Sequence, residues 1–247
     1  MHPNIIVTKS ASDLRAIARK ELKGNWGRVS LVSFVYVLLT SFINGILSFF
    51  ASTSTVSIGR WKFTYTSSDV APFYNLLIAP VFAIGLLSFF LTFFRQRRYE
   101  PYRIFDGFRF YLKSFGLYIL VLIKIILWSL LFIIPGIVAA VRYSQAPYIL
   151  AEDPTKSPIG CIEESKFLME GNKEKYFTLL ISFIGWGFLA SIPVIFLQEL
   201  FSANHYEPIM ESFAMLFVLP PLLSYLTLTR TIFFEIVTGH LRFRKRS

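Results

Sequence analysis

Hydrophobic residues run almost unbroken through 29–50, 71–94, 114–151, 176–197 and 213–236, and polar residues crowd between these stretches. A helix needs about 20 apolar residues, rising ~1.5 Å each, to cross the ~30 Å hydrocarbon layer of a bilayer. Four of the runs match one crossing each. The third would reach ~57 Å as a single helix, nearly twice that thickness. Proline removes a backbone donor and glycine tolerates a reversal of direction, so Pro135 and Gly136 are the expected break between two arms, 114–134 and 136–151. One kinked, steeply tilted helix is the alternative. The pattern predicts an all-α, polytopic transmembrane helix bundle of six spans, about 29–50, 71–94, 114–134, 136–151, 176–197 and 213–236.

Short amphipathic helices accompany the spans. In the tail 1–28, Leu14, Ile17, Ala18 and Leu22 fall on one helical stripe behind a cap at Ser12 or Asp13, and basic residues fan out around them. That is the pattern of a helix lying in the membrane interface. The tail lacks an early short apolar region with a small-residue cleavage site, so the first span reads as an uncleaved signal anchor. In 152–175, Ser157 is a helix cap, Pro158 suits the first helical position and Gly171 is a stop, predicting a helix over 157–171. Ile159, Ile162, Ser165, Leu168 and Met169 share one arc of it, which seeks apolar cover under the bundle. Glu163, Lys166 and Glu170 occupy the other arc and are the candidate partner-binding face.

Composition narrows the class. The 247 residues are 54% hydrophobic and 16% charged, which excludes a disordered chain and does not suit an ordinary soluble domain. The net charge of +10 is decided by where the cations sit. With six spans, 20 Lys and Arg flank the spans on one side, in 1–28, 95–113, 152–175 and 237–247, against Arg60 and Lys62 on the other. With five spans the division is 12 against 10. The positive-inside rule therefore selects six spans with both termini cytoplasmic, and a basic tail at 237–247. Charge spread over four membrane-flanking segments also accounts for the basic character without nucleic acid. The expected contacts are the bilayer and anionic lipid head groups. Outside, the Ser/Thr-rich loop 51–70 carries Trp61 and Tyr65 for the aromatic belt, and 198–212 is an acidic, solvated loop with Glu199, Glu207 and Glu211 beside His205.

Ile149-Leu-Ala-Glu-Asp-Pro154, Glu164-Ser-Lys-Phe-Leu-Met-Glu-Gly-Asn-Lys173 and Phe177-Thr-Leu-Leu-Ile-Ser-Phe-Ile-Gly-Trp186 are the most distinctive segments. With Leu22-Lys-Gly-Asn-Trp-Gly27, Ile134-Pro-Gly-Ile137 and Tyr143-Ser144, the chain resembles a bacterial membrane family known as domain of unknown function 975. The resemblance runs from about residue 10 to 236. It departs at Pro220-Pro221 and Phe233-Phe234, where the family pattern has Pro-Tyr and Phe-Tyr. It implies a multi-pass protein of the bacterial cytoplasmic membrane and supplies no activity.

Three cations fall inside spans: Lys124, Arg142 and Arg230. Each costs about 2.5–3.5 kcal/mol at the bilayer centre on insertion scales, so each needs a partner, water or an escape to the interface. Arg230 is close enough to the inner boundary to snorkel. Lys124 and Arg142, on two arms of one hairpin at similar depth, either line a polar cavity or snorkel. His2, His205 and His240 are widely scattered, and Cys161 has no cysteine to pair with, so no metal or cofactor is expected. No hydrolase elbow, zinc-protease motif, P-loop or facing acid/base pair is present. The sequence reads as a non-enzymatic integral membrane protein that binds another membrane protein, lipid or a membrane-active peptide, the alternative being a transporter or channel component with a cationic cavity.

Overall fold

A computed structural model describes residues 2–42, 52–58, 61–67, 71–201 and 207–241, with side chains at 2–40, 73–193, 195–196 and 218–241. The end of the first span, residues 43–50, the acidic outer loop with His205, and the tail from 242 lie outside the described residues or side chains. The chain is predominantly helical. After an extended segment 2–9 come α1 (Ala11–Leu22) and α2 (Trp26–Val37), the latter continued by one π turn at Leu38–Phe42. Then follow α3 (Ala71–Leu77), α4 (Ala79–Gln96), a 3₁₀ stretch Pro101–Phe110, α5 (Tyr111–Leu131), α6 (Ile133–Arg142) and α7 (Ala146–Glu152). The last four are α8 (Pro158–Leu168), α9 (Lys173–Ile181), α10 (Ile184–Phe201) and α11 (Glu207–Val237).

Among the described residues, three helical stretches are long and apolar enough to cross a membrane, Ala79–Gln96, Pro101–Leu131 and Lys173–Pro193, and Trp26–Thr40 is a shorter apolar helix. Among the described residues the all-helical expectation meets one exception. The Ser/Thr-rich segment forms an antiparallel pair, β1 (Ser52–Ile58) and β2 (Trp61–Ser67), with Thr53 opposite Thr66 and Thr55 opposite Thr64. β-Branched residues facing across a ladder suit a pleated pair.

The long run 114–151 does reverse, but ahead of the expected break. Phe132 is extended at φ −163°, ψ 157° between α5 and α6, so Pro135 sits in the first turn of α6, where a missing N–H is tolerated. Gly136 serves the reversal differently: a Cβ there would lie 2.1 Å from Ser129 Oγ, so the absence of a side chain lets α6 return along α5. The second arm is also not one helix. α6 has 10 residues, about 15 Å, before a turn at 143–145 redirects the chain into α7.

The core gathers around one end of the bundle. α1 is capped by Ser10 rather than Ser12 or Asp13, with Ser10 Oγ accepting from Asp13 N–H at 3.2 Å and Asp13 accepting from Ser10 N–H. Its stripe of Leu14, Ala18 and Leu22 is buried in the core rather than left for lipid. α11, 31 residues or about 46 Å, is longer than a bilayer needs, and its last two turns, with Ile232, Phe233, Phe234 and Val237 fully buried, form the hub. α8 begins at the Ser157 cap, and Gly171, at φ +77°, reverses the chain after it. Ile162, Ser165, Leu168 and Met169 are buried there as the periodicity implies, Cys161 is buried with them, and Ile159 is exposed.

Candidate functional site

The buried end of the bundle carries a network of charges that the chain assembles from distant segments. Arg95, at the end of α4, bonds Glu152 of α7 at 2.7 Å and Glu235 of α11 at 2.8 Å. His2, in the extended segment, turns Nδ1 to Glu164 of α8 at 2.7 Å and Nε2 to Glu152 at 3.2 Å. His240, just past α11, stands with its ring 5.3 Å from that of His2, and its Nδ1 is 2.9 Å from both Arg95 Nη2 and Thr238 Oγ1. Burial and the nearby Arg95 charge disfavour protonation of His240, which is held below the ordinary imidazole value. Burial pushes the Glu164 carboxyl up, but hydrogen bonds from Lys156 and His2 outweigh it, so the group ionises below the usual carboxylate range. Lys156 closes this side at 2.6 Å from Glu164.

Segment 2–9 is thereby strapped across α8. Asn4 donates to the carbonyls of Phe167 and Glu170, and the buried Asn172 accepts from Val7 N–H and donates to the Ile5 carbonyl. The strap runs over the end of the candidate partner-binding helix: Glu170 is exposed, but its carbonyl is engaged. Glu163 pairs with Lys166 at 2.5 Å.

The three cations expected within spans lie in different surroundings. Arg230 donates through Nε to Tyr176 at 2.8 Å, and its guanidinium lies 5.8 Å from the centre of the Tyr148 ring. Lys124 and Arg142, both half-buried, act on the same carboxylate, Glu163. The hydrogen bond from Lys166 holds that carboxyl below its ordinary value against the opposing effect of burial, with lesser help from the charges of Lys166, Lys124 and Arg142. Arg142 is further tied through its carbonyl, which accepts from Ser165 Oγ at 2.9 Å. A cavity of about 300 Å³ reaches Arg142 among Trp128, Ile134, Pro135, Val138, Ala139 and Tyr143, and Lys124 does not line it.

Two surfaces remain. A crevice of about 980 Å³ lies between the 3₁₀ stretch and residues 151–155, with Arg103, Asp106, Arg109, Lys113 and Glu152 on its walls. Beside it Tyr102, Phe105 and Phe108 are exposed. Further along, the α5–α6 hairpin ends in an uncovered apolar tip: Leu130 is 77%, Phe132 74%, Ile133 78% and Ile134 74% exposed. Sequence reading found the cations and the hairpin but not the His2–Arg95–Glu152–Glu164–Glu235–His240 network. Its members share no local spacing, so only chain-wide folding could reveal them.

The family model described as protein of unknown function (DUF975) matches residues 1–141 and 130–240, and the chain belongs to that family. No curated protein and no solved structure matches it.

Proposed function

We propose that this member of the family of unknown function 975 is a multi-pass protein of the bacterial cytoplasmic membrane that works by binding rather than catalysis, with both termini cytoplasmic. In this reading its working surface is the α5–α6 hairpin, inserted into the inner leaflet to hold lipid or the flank of another membrane protein. One observation carries the reading: the hairpin turns on Leu-Leu-Phe-Ile-Ile at 130–134, with no polar residue at its tip. A hairpin that crossed the bilayer would bring that turn out among head groups and water, where polar loop residues belong. The base of the hairpin supports the same depth. Lys124 is eight residues and Arg142 ten residues from Phe132, about 12 and 15 Å of helix, half the ~30 Å hydrocarbon layer. With both cations at the interface, the tip stops near the bilayer centre. Such a hairpin returns the chain to the side it came from, so it satisfies the charge asymmetry of the flanking segments as well as two crossings would.

The test is cysteine accessibility in intact cells, in a Cys161→Ser background. Phe132→Cys should resist an impermeant maleimide from outside while Ser54→Cys reacts. A photo-crosslinker at residue 132 should then capture lipid or a membrane protein. Outside labelling of Phe132→Cys would instead give the hairpin two full crossings and remove this reading.

The transporter reading keeps less support. The cavity at Arg142 does not extend to Lys124.

A further inference from the structure

We infer that His2, Glu152 and His240 form a binding site for a divalent transition-metal ion of the zinc class, one that clasps segment 2–9 and the residues after α11 onto α7. One ligand atom from each of the three side chains lies within 4.8 Å of the others. A tetrahedral ion with bonds of about 2.0–2.2 Å holds its ligand atoms roughly 3.4 Å apart, so the triangle must contract by little more than an ångström. His240, the outermost of the three, has the freedom to close it.

Orientation strengthens the case. Both imidazoles turn Nε2 toward the Glu152 carboxylate, at 3.2 Å for His2 and 3.7 Å for His240. The far nitrogen of each is held by a second group. His2 Nδ1 meets Glu164 at 2.7 Å, the carboxylate–histidine arrangement that fixes the tautomer and leaves Nε2 its lone pair for a metal. His240 Nδ1 meets Thr238 Oγ1 at 2.9 Å, which accepts the Nδ1 proton once Nε2 ligates and Arg95 Nη2 withdraws to its two carboxylates. Glu152 contributes a free position as well: its Oε2, the oxygen nearer His2, is buried and has no hydrogen-bond partner among the described residues. Two carboxylates, Glu152 and Glu235, share the single guanidinium of Arg95, so a cation also suits the charge balance. Two imidazoles and one carboxylate are a zinc-type donor set with a fourth position for water.

The experiment uses the untagged full-length protein in detergent, stripped with EDTA and titrated calorimetrically with zinc sulfate, with cobalt(II) as a spectroscopic stand-in. One zinc per chain should bind, and cobalt should give the intense visible bands of a tetrahedral site. His2→Asn and His240→Asn should each weaken zinc by more than about tenfold and abolish the cobalt bands, while Glu164→Gln, acting through His2, should weaken zinc by about tenfold. His205→Asn should change nothing. Zinc binding weaker than roughly 100 μM in the parent, absent tetrahedral cobalt bands, or a zinc affinity equal to the parent's in either histidine variant would each overturn the assignment.

Discussion

Arg230 donates through Nε to the phenol oxygen of Tyr176 at 2.8 Å, across 54 residues of chain. A side chain placed to snorkel toward water is instead committed to a protein partner, with the Tyr148 ring 5.8 Å from its guanidinium. The bond joins α11 to α9, and so connects the hub helix to the segment that leads into α10.

Tyr176→Phe removes the acceptor and strands the guanidinium. A hydrogen bond to a charged group contributes about 1.5–3 kcal/mol, so the variant should lose that much stability, and Arg230→Leu at least as much. Thermal unfolding in detergent measures both. A Tyr176→Phe midpoint equal to the parent's would mean that the arginine is solvated after all.

Gly136→Ala should damage the hairpin, because its Cβ would meet Ser129 Oγ at 2.1 Å. Overpacking of this kind costs about 1–3 kcal/mol. Ser129→Gly in the same chain should restore part of the loss, whereas Pro193→Ala, at an exposed position of α10, should be mild by comparison. Yield of monodisperse protein and melting temperature report the difference; equal behaviour of the three would show that α6 does not return along α5 as drawn.

Neutralising Glu163 removes the ion-pair partner of Lys166 and a negative charge that the charges of Lys124 and Arg142 favour at longer range. The side chain is 52% exposed, so solvent screening limits the effect, and Glu163→Gln should cost about 1 kcal/mol at low salt and less at high salt. Glu170→Gln, at an exposed position on the same helix, is the control and should be silent. Melting curves across a salt series distinguish the two.

Cys161 is fully buried, and burial pushes its thiol up to about 11. The folded protein should therefore resist N-ethylmaleimide at neutral pH and react only once unfolded. The unfolded thiol ionises near the ordinary value of 9, below the folded one, so the folded state holds its proton more tightly between those values. Stability from this group is full below pH 9 and falls as pH rises toward 11. Rapid labelling of native protein at neutral pH would contradict the burial.

Local pattern by itself determined much of the helical architecture and the family. The cap at Ser157, the proline after it and the stop at Gly171 bound α8 because capping acts within one turn of chain. The overlong apolar run 114–151 demanded a reversal because helix length per residue is a constant. Where that reversal falls was a tertiary matter: a break at Phe132 places Pro135 in a tolerated position and lets Gly136 meet Ser129, a contact no single-helix rule contains. The amphipathic stripe of α1 was visible, yet whether it meets lipid or protein was not, since periodicity marks an apolar face without naming what covers it. The same limit governs charge. Lys124, Arg142 and Arg230 stood out as cations in apolar runs, but Tyr176, which Arg230 meets, and Ser165, which holds the Arg142 carbonyl, come from other segments. His2 and His240 looked unrelated near opposite ends of the sequence, and only the packing of segment 2–9 and the end of α11 against α7 brings their rings to 5.3 Å. Hydrogen-bond and ion-pair geometry depends on distance in space, and chain separation carries almost none of that information.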